Sequence, residues 1–137
     1  MSYELRDHTA DVAVEVTGPT LESVFAGAGD GLAGAMCDEI PESVGDRFDF
    51  EVRAEAREAL LFDYLDQLIY ERDVRSVLPV DNEVEIREEG GEWVLEASAR
   101  GVPLADVSAR EIKAVTYSEM ALEETDSGWR AYVVFDV

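Results

Sequence analysis

The chain has 137 residues, of which 47% are hydrophobic, and a formal net charge of −21, from 32 Asp and Glu against 11 Lys and Arg. One domain over residues 1–137 is expected, because cores divide only beyond about 250 residues and the apolar share is too high for a disordered acidic tail. So large an acid excess leaves too few cations for autonomous nucleic-acid binding or a polybasic membrane anchor. It points to a salt-adapted cytosol, where near molar salt the Debye length falls to about 3 Å and self-repulsion is screened.

Tyr3 to Asp7 is short and mixed, while Val12, Val14 and Val16 alternate with Ala13, Glu15 and Thr17 at the period of a half-buried strand. Two strands are therefore expected to flank Asp7-His8-Thr9-Ala10-Asp11. Gly18-Pro19 ends the second, and Thr20 caps a helix from about 20 to 37 whose apolar residues Leu21, Val24, Phe25, Ala28, Leu32 and Met36 recur at helical spacing. Its glycines Gly27, Gly29, Gly31 and Gly34 each cost about 1 kcal/mol relative to Ala, so packing must hold this helix, and they imply a close approach to a sheet. After a loop from Pro41 to Asp46, Phe48, Phe50, Val52 and Ala54 alternate with Asp49, Glu51, Arg53 and Glu55, a strand with one wet face.

The period then changes. Ala59, Leu60, Leu61, Tyr64, Leu65, Leu68 and Ile69 form the wide apolar stripe of a helix from about 57 to 73, with Asp63, Asp66, Glu71 and Arg72 near its polar side. Strand signals resume after Pro79 at Val84 and Ile86, turn at Glu89-Gly90-Gly91 and return through Trp93, Leu95, Ala97 and Ala99 as a hairpin. Gly101 to Ser108 reads as irregular, Ile112 to Leu122 as a strand, Asp126-Ser127-Gly128 as a turn and Trp129 to Asp136 as the last strand. Strands in neighbouring pairs with two helices predict an α+β fold of two layers, a mostly antiparallel sheet with both helices packed on it.

The one histidine, His8, lies between Asp7 and Asp11 and beside Thr9. One reading is a local turn in which Asp11 and Thr9 bond nearby amides and His8 holds the loop. The other is a cation site, since Asp oxygens are hard ligands suited to Ca²⁺ or Mg²⁺. If the first and last strands lie side by side, Asp11, Asp136 and the terminal carboxylate of Val137 converge, three donors whose remaining positions fall to water or a partner's groups. Lys113 is the single lysine, and an ammonium there can meet a carboxylate, a phosphate or a partner surface, although a lone surface lysine on a strand is the commoner case.

Other motifs carry less. Gly27 to Gly31 imitates a phosphate loop, but it lies inside a helical stripe and lacks the Gly-Lys-Ser/Thr ending. With His8 as the one imidazole and Cys37 as the one thiol, at an apolar helix end, no nucleophile and base share a useful spacing, and no internal disulfide can form. Asp63 reads as a solvated face residue, and Tyr64, Tyr70 and Trp93 as core or rim. The apolar runs fall short of the roughly 20 residues that span a bilayer, and the charged start MSYELRDHTAD lacks a signal-peptide core, so a cytoplasmic protein is expected.

Four segments in this order and spacing, Asp7 to Asp11, Leu60 to Tyr70, Ile112 to Tyr117 and Val134 to Val137, resemble the archease family over essentially the whole chain. The resemblance implies a small α+β protein, not itself an enzyme, that assists the tRNA-splicing RNA ligase of the RtcB type. That ligase joins 2′,3′-cyclic-phosphate or 3′-phosphate ends to 5′-hydroxyl ends through a guanylylated histidine, and the assistant promotes guanylylation and multiple turnover. The resemblance also implies a divalent cation at Asp11, Asp136 and Val137, with Ca²⁺ as the first expectation and Mg²⁺ or Mn²⁺ as alternatives. On this reading Lys113 contacts a phosphate or an acidic residue of the partner, and Asp7, His8 and Thr9 orient the loop. Two departures stand out: Ser118 where the family often has histidine, and a surface more acidic than is usual there. A role by contact alone, as a chaperone-like modulator of a tRNA cytosine methyltransferase, is the alternative.

Overall fold

The computed structural model describes residues 2–7 and 11–137. In chain order the elements are β1 (Ser2–Asp7), β2 (Asp11–Gly18), α1 (Leu21–Met36), β3 (Asp46–Ala54), α2 (Arg57–Arg75), β4 (Val77–Glu89), β5 (Glu92–Pro103), β6 (Ala114–Thr125) and β7 (Gly128–Asp136), with a short 3-10 turn at Leu104–Asp106. The strands form two antiparallel sheets, β1-β2-β7-β6 and β3-β5-β4. The fold is thus α+β as the sequence predicts, with the strands shared between two sheets. Each helix touches both: α1 packs on β2 and β7 and also on β4, and α2 packs on β6 and also on β3, β4 and β5. One helical pair therefore covers the apolar faces of both sheets, and a single buried cluster runs from Val14 and Phe135 through Phe25 and Leu65 to Leu95.

Local chemistry sets the helix ends. Thr20 Oγ1 accepts the Ser23 N–H and Ser23 Oγ accepts the Thr20 N–H, both at 3.1 Å, a reciprocal cap that leaves Leu21 as the first helical residue. At the far end of α1, Cys37 is extended and buried, and its thiol donates to the Glu39 carbonyl. Gly29, Gly31 and Gly34 of α1 are close-approach positions: a Cβ at Gly31 would stand 2.5 Å from Val14 Cγ1 of the sheet, and one at Gly29 would stand 2.6 Å from the Tyr64 hydroxyl of α2. α2 stops where Ser76 turns left-handed, at φ 55°.

Four expectations are corrected. Residues Gly101 to Pro103 continue β5, because β4 pairs back from Val77 and Asp46 of β3 opposes Gly101. Pro79 lies inside β4, on the edge of its sheet, where a missing N–H is tolerated. β6 begins at Ala114, so Ile112 and Lys113 precede the strand, and its ladder shifts register between Thr116 and Ala121 around Glu119 at φ 57°. Finally, Glu71 and Arg72, placed on the polar side of α2 by periodicity, are buried at 7% and 8% exposure. Arg72 continues the stripe of Leu61, Leu65 and Leu68 by helical spacing, and the chain at 107–113 closes over that end of the helix.

The two tryptophans mark where the sheets meet. Arg57, the first residue of α2, lies 5.7 Å from the Trp93 ring of β5 and 5.1 Å from the Trp129 ring of β7. One guanidinium thus bridges aromatic faces from both sheets.

Candidate functional site

β7 runs down the middle of the four-stranded sheet, between β2 and β6, so the last strand meets the first long one along its length. The antiparallel register makes Asp11, which opens β2, the direct partner of Asp136, which closes β7. Directly opposed residues share a face, with Cβ atoms about 5 Å apart. On the other side of β7, Ala114 opposes Asp136, and the Lys113 N–H donates to the Asp136 carbonyl at 2.9 Å. Val137 follows at once and is 48% exposed. Four residues named from sequence, Asp11, Lys113, Asp136 and Val137, thus gather at one end of one sheet.

Among the described residues, neither the Asp11 nor the Asp136 carboxylate has a hydrogen bond or ion pair, and no third His, Cys, Asp or Glu completes a ligand cluster. The Lys113 side chain is exposed and likewise unpaired among those residues. Asp7 opposes Val12 in the β1–β2 ladder. Its side chain lies outside the described residues, as do His8 and Thr9, so the loop-orienting roles expected of these three fall on undescribed atoms.

The neighbouring part of β6 is held differently. Thr116 Oγ1 donates to the Val134 carbonyl at 3.0 Å where the ladder breaks, and Tyr117 stacks on Phe62 of α2 with ring centroids 4.1 Å apart and planes 7° apart. Ser118 stands exposed in the irregular stretch that follows. Partial burial, with help from Asp66, pushes the Asp63 carboxyl up from its ordinary range, and burial together with Asp63 pushes the Tyr117 phenol up. Asp63 is exposed and Tyr64 is core, as expected, while Tyr70 is 56% exposed.

Sequence reasoning missed one polar cluster. Asp30 Oδ1 accepts the Asn82 N–H at 3.0 Å and its amide Nδ2 at 2.9 Å, while Asn82 Oδ1 accepts the Tyr64 hydroxyl at 3.0 Å. Desolvation raises the Asp30 carboxyl above its ordinary value of 3.8 despite those donors, and burial raises the Tyr64 phenol well above its own. The motif Gly27 to Gly31 that imitates a phosphate loop is therefore helix, and its Asp30 ties α1 to the register shift of β4. The available signal was Asp30 flanked by glycines within an apolar stripe.

Depressions among the described residues lie away from the Asp11–Asp136 sheet end. One of about 660 Å³ lies over the outer face of the three-stranded sheet, among Asp49, Glu51, Glu83, Glu85, Glu96 and Ser98. Another, of about 300 Å³, lies between the end of α2 and the chain at 104–111, beside Arg72 and Arg110. Neither contains Asp11 or Asp136. Among the described residues, no helix is long and apolar enough to cross a membrane.

Comparison with known proteins sets this arrangement in context. Residues 3–137 match the Archease protein family. Protein archease of Methanosarcina mazei is 38% identical, over 98% of this chain and 95% of its own. The solution structure of protein 1598 of Methanobacterium thermoautotrophicum superposes with a TM-score of 0.87 at 29% identity, covering 98% of both chains. A crystal structure from Thermotoga maritima, described as an archease and possible chaperone, shares the fold with a TM-score of 0.64 at 23% identity, over 96% of this chain and 94% of that one.

Proposed function

Given that the chain belongs to the archease family, we propose that it is a non-enzymatic protein cofactor of an RNA ligase of the RtcB type, promoting histidine guanylylation and multiple turnover, with a divalent cation held by Asp11, Asp136 and the backbone oxygens of Val137. The observation that carries this reading is the direct opposition of Asp11 and Asp136 with no cationic side chain on either among the described residues. Like charges opposed across a ladder destabilise it, and a bound cation reverses the sign of that interaction. Carboxylate and carbonyl oxygens are the donors that Ca²⁺, Mg²⁺ and Mn²⁺ prefer, so the residues fit such an ion. When bound, the cation supplies positive charge to which phosphate or carboxylate groups of a partner can bind.

This chain's own residues do the remaining work. The β2–β7 ladder holds the two carboxylates at one sheet end. Lys113, tied through its backbone to Asp136, carries a second positive group into the same region, where it meets a phosphate or an acidic side chain of the ligase. The net charge of −21 argues for a protein partner and against RNA as the surface recognised.

The test is ligation by the cognate ligase with GTP and divalent metal, in high salt, with this protein at substoichiometric amounts. Wild type is expected to convert single turnover into cycling, and Asp11→Ala and Asp136→Ala are expected to lose that effect while circular dichroism stays unchanged. Full stimulation by both variants would remove the metal from the mechanism and favour the contact-only role, tested next on a tRNA cytosine methyltransferase. No response to wild type would end the ligase reading.

A further inference from the structure

The peptide group between Ile112 and Lys113 is held at both of its ends. Its carbonyl oxygen accepts from Arg72 Nη1 at 2.7 Å, and its N–H donates to the Asp136 carbonyl at 2.9 Å. Arg72 is 8% exposed, and its Nε donates to Asp73 Oδ1 at 2.9 Å while Nη1 also meets the Met36 sulfur at 3.3 Å. A guanidinium, with five N–H donors fixed in one plane, serves these three acceptors at once. A charged donor on a peptide oxygen polarises the whole group and strengthens its N–H as a donor, so the two bonds support each other.

We propose that Arg72 is a positioning residue for Lys113: from α2 it orients the 112–113 peptide plane, and with it the direction in which Lys113 leaves the backbone beside Asp136. The claim rests on the reading of Lys113 and Asp136 given above. Its physical basis is that two hydrogen bonds, from Arg72 to the carbonyl and from the N–H to Asp136, turn that plane, while the buried Ile112 side chain anchors the residue before it. Lys113 precedes β6, and residues 107–113 belong to no helix or strand. Upstream, the same segment is docked on the end of α1, where the Arg110 N–H donates to Met36 O at 2.6 Å and its guanidinium reaches Ala35 O at 3.1 Å and both Asp38 oxygens. α1 has no basic residue in its own last turn, so Arg110 supplies that charge from across the chain. Arg110 fixes where the segment lies, and Arg72 fixes how its final peptide is turned.

The test uses the full chain with Arg72→Met, read by residue-resolved amide hydrogen exchange and by ligase stimulation. The Lys113 amide is expected to exchange about tenfold faster or more, while amides of the β2–β7 ladder keep their wild-type protection relative to global stability. Stimulation is expected to fall to the level of Lys113→Ala, and the double variant is expected to lose no more than either single one. Unchanged exchange at Lys113, or additive losses, would overturn the proposal, since a residue that only seals the core lowers stability without singling out that amide. Should Arg72→Met not fold, Arg72→Gln carries the same readouts. A ligase indifferent to wild type would defeat the functional reading, and the Lys113 exchange would still decide whether Arg72 sets that peptide.

Discussion

On the outer face of the three-stranded sheet, Arg53 reaches Glu51 and Glu89, Arg87 reaches Glu89 and Glu96, and Arg100 reaches Asp81 and the carbonyls of Pro41 and Val44. At the end of the four-stranded sheet, Asp11 and Asp136 stand opposite each other with no such neighbour among the described residues. Both places belong to a chain with about three acids for each base, yet four of its ten arginines, Arg47, Arg53, Arg87 and Arg100, lie on the first. The first is an acidic surface made tolerable by interleaved guanidinium groups. The second keeps its repulsion, a cost that a ligand or partner can relieve.

The largest expected effect separates activity from stability at the second site. Asp136→Asn should lower ligase stimulation by an order of magnitude or more, while the metal-free protein gains about 0.5 kcal/mol from losing a like-charge pair. Urea melts in chelator beside turnover assays measure both. A loss of stability there would mean that Asp136 already has a protein partner and that the two sheets treat their acids alike.

On the first site the sign reverses. Arg100 is only 12% exposed at its side chain and bonds two backbone carbonyls and Asp81, so Arg100→Ala should cost about 2 kcal/mol in denaturant melts with ligase stimulation unchanged. A third treatment of acid, burial against donors, is seen at Asp30. Its folded pKa lies above its unfolded value, so the stability it contributes is full below about 3.8 and is lost as pH rises through the raised folded value. Asp30→Asn, which retains an acceptor for Asn82, should therefore melt above wild type at neutral pH, with the difference narrowing toward pH 4. Equal melting temperatures across that range would show that the Asn82 donors fully offset the burial. The smallest effect belongs to the exposed pairs: Arg87→Ala should lower the melting temperature slightly in dilute buffer and not at all near molar salt.

Most of the elements were legible in the sequence because their periods are local. The stripe from Leu21 to Met36 and the Thr20 cap predict α1 to within a residue, and the alternation from Phe48 to Ala54 predicts β3. Candidate donors were legible as residue types, and the pairing of Asp11 with Asp136 follows from the strand that Asp11 opens lying beside the last one. Arg72 was misplaced because periodicity at a helix end cannot register a distant segment closing over it.

Residue order and spacing alone determine the two helices, the strand alternations, the acid excess and the family to which the chain belongs. Tertiary structure decided that the strands split into two sheets sharing one pair of helices, that β7 lies between β2 and β6, and that the peptide before Lys113 is held between Arg72 and Asp136. The physical reason is range. Hydrophobic periodicity and capping act over one or two turns, whereas strand order and the burial of a guanidinium depend on contacts between residues far apart in the chain, visible only when the core is closed.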